Sequence, residues 1–93
     1  VALRIELHLP ASHSLKEKRA VIQSICDGAR RRFAVAAAEC DHQDTWQRTT
    51  LGFAAVSGTP SHVTDTLDEV ERFVWSHPEV EVLSAERTWL EPD

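Results

Sequence analysis

His13, Asp41, His42, Asp44 and His77, with Cys40 beside them, are residue types that can ligate a divalent cation or move a proton. No short spacing such as H-x-x-x-H or C-x-x-C joins any two of them, so a metal centre would require separate loops to converge. No metal is expected. Cys40 and His42 stand two residues apart, as a thiol–imidazole pair could. A nucleophilic thiol needs a positive neighbourhood, however, and Glu39 and Asp41 flank this one. Cys26 falls on an apolar helical stripe and reads as a small core residue. There is no G-x-S-x-G, P-loop or G-x-G-x-x-G, and only Gly28, Gly52 and Gly58 could bring backbone close to a phosphate. The reading leans away from an enzyme: no catalytic residue and no cofactor are assigned.

Contact with phosphate groups is the second chemistry on offer. Net charge is −5, which argues against a protein that coats nucleic acid by charge alone. The charge is unevenly spread. Residues 1–48 carry eight of the ten Lys and Arg against six acids, and residues 65–93 carry two against nine. Lys16, Lys18, Arg19, Arg30, Arg31 and Arg32 fall in a single predicted helix, with Trp46 and Arg48 nearby. These eight are the candidate contacts for RNA or another partner, with weak binding and a steep salt dependence expected. A solvated helix face is the plainer reading of the same charges.

These side chains need elements to position them. In residues 2–9, Leu3, Ile5, Leu7 and Leu9 alternate with Arg4, Glu6 and His8, the period of a strand with one buried face. Ser14 and Glu17 form an S-x-x-E capping box that opens a helix. Leu15, Ile22, Ile25, Cys26, Ala29 and Phe33 then recur at helical spacing, and Arg30 to Arg32 complement the dipole in the last turn. Residues 34–40 and 49–57 are apolar or small on both parities and read as strands, joined by the eight-residue loop 41–48. Thr59 caps a second helix with Pro60 at its first position. Val63, Leu67, Val70 and Val74 are its buried stripe, and Ser76-His77-Pro78 stops it. Val80 to Leu90 reads as a last strand with a bulge near Val82-Leu83; Glu91-Pro92-Asp93 is a tail.

The order strand, helix, strand, strand, helix, strand predicts an α+β, ferredoxin-like split βαβ domain. Its antiparallel sheet has the order 4-1-3-2 and carries both helices on one face. That topology gathers the connection after the first strand, the loop 41–48 and the connection before the last strand at one end. His13, Asp41, His42, Asp44, Trp46, Gln47 and His77 are therefore expected along one rim. There His13, Asp41, His42, Asp44, Gln47 and His77 form the alternative candidate, a small-ligand or metal site.

HSLKEKR (His13 to Arg19) and AECDHQDTWQR (Ala38 to Arg48), within the whole-chain βαββαβ order, resemble the YlxP-like family of small bacterial proteins of unknown function. The resemblance implies a ferredoxin-like fold. The genes of that family often neighbour those of translation initiation and ribosome maturation factors, which implies a role around ribosome assembly or RNA. It brings no catalytic residue with it.

Ninety-three residues, 42% apolar and 27% charged, make one globular domain with one modest core. No apolar run approaches a membrane span and no basic-then-apolar leader opens the chain, so neither a membrane nor a secretory context is expected. Two cysteines without a C-x-x-C spacing point to the cytoplasm. The middle strands, small or apolar on both parities, predict that the sheet face away from the helices is covered. The cover expected is a second copy in a two-fold dimer. An RNA-recognition platform of exposed aromatics is not expected, because Thr50, Gly52, Ala54 and Val56 fall on that face.

Overall fold

A computed structural model, which describes residues 1–89, contains six elements in the expected order. They are β1 (Ala2–His8), α1 (Leu15–Phe33), β2 (Ala36–Asp41), β3 (Arg48–Ala54), α2 (Pro60–Trp75) and β4 (Glu81–Thr88). The four strands form one antiparallel sheet in the order β2-β3-β1-β4, the expected order read from the opposite edge.

Each element follows from its local sequence. Leu3, Ile5 and Leu7 of β1 are fully buried, and Arg4, Glu6 and His8 take the other face. Burying such side chains stabilises by about 1.5–3 kcal/mol each. The α1 cap is built as the sequence predicts: the Ser14 hydroxyl accepts the Glu17 amide at 3.1 Å. The Glu17 carboxylate reaches back to the amide of His13 at 2.6 Å, one residue before the usual partner. α1 ends where Ala34 turns left-handed (φ 53°), which delays the second strand to Ala36 instead of residue 34. In α2, Thr59 and Pro60 hold the expected positions. The Thr59 side chain makes no cap bond, and its own amide donates to the Ser57 hydroxyl instead.

The bulge in β4 lies at Leu83: Val82 pairs with Leu7 and Ser84 with Glu6, leaving Leu83 between them. The strand is shorter than the expected Val80–Leu90, and Leu90 and the Glu91–Asp93 tail lie outside the described residues. Arg87 reaches from β4 to Asp68 (2.7 Å) and Glu71 (3.1 Å) of α2, tying that helix to the edge strand.

The core fills the space between the helices and one sheet face. Leu3, Ile5, Leu7, Leu51 and Phe53 meet Ile22, Ile25, Cys26 and Ala29 from α1 and Val63, Leu67, Val70 and Val74 from α2. Gly28 lets the helices approach, with the Phe73 ring occupying the space a side chain would take. Burial pushes the Cys26 thiol above its ordinary pKa. Among the described residues, no helix is long and apolar enough to cross a membrane.

Candidate functional site

The loop between β2 and β3 is organised by one side chain from α1. Lys18 is 0% exposed. Its ammonium lies 2.9 Å from Glu39 Oε2 and donates to the carbonyls of His42 (2.6 Å), Gln43 (3.2 Å) and Arg48 (3.3 Å). Thr49 adds its hydroxyl to the same Glu39 oxygen at 2.6 Å. An unpaired buried ammonium would cost several kcal/mol, and here a carboxylate and three carbonyls replace its water. Lys18 was expected among the exposed basic contacts. The structure corrects this: position 18 shares the helical face of Ile22, Ile25 and Ala29, so the side chain enters the interior. The signal was available, since 18, 22, 25 and 29 have core spacing. Glu39 likewise shares strand parity with buried Ala37 and Val35.

The remaining basic residues of α1 stay outside. Lys16, Arg19, Arg30, Arg31 and Arg32 are exposed. Arg30 pairs with Asp27 at 2.7 Å and also donates to the Ala37 carbonyl of edge strand β2. Arg31 Nε donates to the Asp27 carbonyl, and the Arg32 guanidinium lies 5.2 Å from the centre of the Phe73 ring. Arg48 is not with them. It sits on the open sheet face, 3.5 Å from Glu6, because strand parity turns it away from the helices. Trp46, at the tip of the loop, is 54% exposed and is presented to solvent.

The rim forms only in part. Gln47 bridges the two loops, donating to the carbonyls of Pro10 and Ser12 at 3.3 Å, and its own carbonyl accepts the Leu9 amide at 2.9 Å. His13 and His42 therefore lie at the same end of the sheet, as the topology predicts. Asp41 caps its own turn by accepting the His42 amide at 2.7 Å, His42 takes a left-handed backbone (φ 61°), and Asp44 is exposed. His77 packs toward the helix layer. Its ring stacks edge-on against Phe73, 4.7 Å between centres, and its Nδ1 donates to the Phe73 carbonyl at 2.8 Å. Among the described residues, no group of three His, Cys, Asp or Glu is arranged to hold a metal ion. Cys40 is exposed on the open face over Gly52, and both cysteines are free.

The open sheet face has two halves. Ala2, Ala36, Ala38, Gly52 and Ala54 make one side smooth and small, with the alanines exposed. Arg4, Glu6, Ser84 and Glu86 line a hollow of about 290 Å³ on the other. On this face, Arg48 Nε and Thr50 Oγ1 are buried and have no hydrogen-bond partner among the described residues.

Residues 1–87 match the model of a family described as proteins of unknown function, DUF503. The chain belongs to this family. It is also 42% identical, over 77 residues, to the uncharacterised protein YlxP of Bacillus subtilis (strain 168), a match covering 83% of this chain and 84% of that protein. Both segments on which the family resemblance rests are joined in space by Lys18: HSLKEKR supplies the ammonium, and AECDHQDTWQR supplies Glu39 and the three carbonyls. In this chain, the two segments build a loop anchor.

Proposed function

We propose that this DUF503 protein is a non-catalytic, cytoplasmic binding protein with a ferredoxin-like fold, that it works as a homodimer, and that it holds RNA against the outer face of α1, in keeping with a role around ribosome assembly. One observation carries the RNA reading. Lys18 draws the β2–β3 loop onto the first turns of α1, the same turns that expose Lys16 and Arg19, while the loop exposes Trp46. An exposed aromatic on a loop tied to a basic helix supplies both a face that stacks an unpaired base and cations that contact its phosphates. Arg30, Arg31 and Arg32 extend the positive charge along the helix. The acidic second half of the chain repels RNA from the rest of the surface, so binding is weak and strongly salt-dependent.

Fluorescence anisotropy with a labelled single-stranded RNA tests this. Saturable binding is expected at low salt, falling steeply as salt rises. The double substitution Lys16→Glu/Arg19→Glu, like Trp46→Ala, weakens it by roughly tenfold. No binding at low salt, or affinity unchanged in both variants, overturns the reading.

The smooth half of the open sheet face supports the dimer. Small side chains at Ala36, Ala38, Gly52 and Ala54 allow a second copy to approach closely, and among the described residues no helix covers them. Light scattering is expected to give twice the 10.4 kDa chain mass. Ala38→Arg is expected to return it to one; a single-chain mass for the unaltered protein overturns the dimer.

A further inference from the structure

Away from the basic face of α1, two hollows of about 230 and 240 Å³ run along the opposite flank of the helix and share Val21 and Glu79 in their walls. They form one trough between α1, the segment leaving β1 and the turn before β4. Leu9, Ala11 and Val21 give the first hollow an apolar lining, and Glu17 stands over it. His77 and Glu79 border the second. No lysine or arginine lines either hollow. Glu17 is held in place by its bond to the His13 amide through Oε2, and among the described residues Oε1 makes no hydrogen bond. Among the described residues, Glu79 takes part in no ion pair.

An apolar trough flanked by two carboxylates with no internal counter-ion complements a side chain pair that is apolar and cationic. Each hollow is smaller than the roughly 300–1,000 Å³ that encloses a whole small ligand. Two adjoining hollows of this size suit successive side chains on one face of an extended peptide. We propose that the trough docks a basic peptide segment of a partner protein. An apolar side chain enters the first hollow against Leu9, Ala11 and Val21, below Glu17, and a lysine or arginine two residues on occupies the second hollow beside Glu79. The proposal is independent of RNA binding, which uses the other flank of α1.

The test is an NMR titration of the ¹⁵N-labelled full chain with the capped tripeptide Leu-Gly-Lys, and with Leu-Gly-Glu as its charge-reversed counterpart. The lysine peptide is expected to shift the amides of Ala11, Ser12, Val21 and Glu79 saturably, and the glutamate peptide to leave them in place. Glu79→Gln, an exposed change that leaves the α1 cap intact, is expected to weaken the lysine peptide by roughly twofold to fivefold. The proposal is overturned by the absence of saturable shifts, by shifts centred on Trp46 or Lys16, by an equal response to both peptides, or by an unchanged affinity in Glu79→Gln.

Discussion

The ammonium of Lys18 and the carboxylate of Glu39 lie 2.9 Å apart, 21 positions distant in sequence, with the lysine wholly enclosed and the glutamate side chain 17% exposed. Removing one partner strands the other. Lys18→Met leaves Glu39 without its counter-charge and three backbone carbonyls without the Lys18 donor, and is expected to cost about 3–5 kcal/mol in urea denaturation. Glu39→Gln keeps a hydrogen-bond acceptor and is expected to cost less. The Lys18→Met variant, where it still folds, is expected to show faster amide exchange across residues 41–47 than across β1.

Gly28 and Phe73 fix how closely the helices meet. A Cβ at position 28 would stand 2.6 Å from the Phe73 ring, which is itself held edge-on by Phe33 (5.6 Å) and His77. Gly28→Ala gains helix propensity worth about 1 kcal/mol. Displacing this half-buried ring from its packing against Phe33 and His77 costs about 1–3 kcal/mol. The net result expected in a denaturation curve is a loss of stability, and combining it with Phe73→Leu is expected to recover part of that loss.

Ala34 ends α1 in a left-handed conformation that glycine adopts without penalty. Ala34→Gly is expected to raise stability, by about 0.5–1 kcal/mol after the extra freedom glycine has in the unfolded chain is subtracted. A melting temperature at or below that of the unaltered protein would contradict this.

The two thiols are expected to differ in reactivity. Cys40 is exposed and Cys26 buried, with burial as the main cause of the upward shift at Cys26 and the Arg30 charge opposing it. Iodoacetamide at pH 8 is expected to label Cys40 alone, as mass spectrometry of the folded protein would read. The raised pKa has a thermodynamic counterpart. The native state holds the Cys26 proton more tightly than the unfolded chain, so its contribution to stability is present below the ordinary thiol value of 9.0 and is lost as pH rises through the folded value. Cys26→Ala is expected to flatten the fall in stability above that pH.

Much of this architecture was legible in the residues because short-range rules act there without competition. The alternation of β1, the Ser14–Glu17 cap and the Val63–Val74 stripe each have one stable solution, and their order leaves few topologies. The slip at Val82-Leu83 was visible as a break in alternation. The candidate site was less legible because charge and position disagreed. Lys18 carries the charge of a surface residue on a core position, and position prevailed since Glu39 sits at the matching core parity. His77 could not be placed from the topology: the end of the sheet to which a connection belongs does not specify the layer, and Phe73 draws the imidazole onto the helices. Arg48 was separated from α1 by strand parity alone.

The guanidinium of Arg30, besides its pairing with Asp27, occupies a carbonyl on the outermost ribbon of the sheet. Together with the displaced residue at Cys40, where the pairing of that ribbon slips by one, it denies an incoming chain a regular row of free amides and carbonyls. The alanine surface proposed to meet a second copy is thus bordered, on the β2 side, by an edge that does not serve as a template for endless, fibre-like growth.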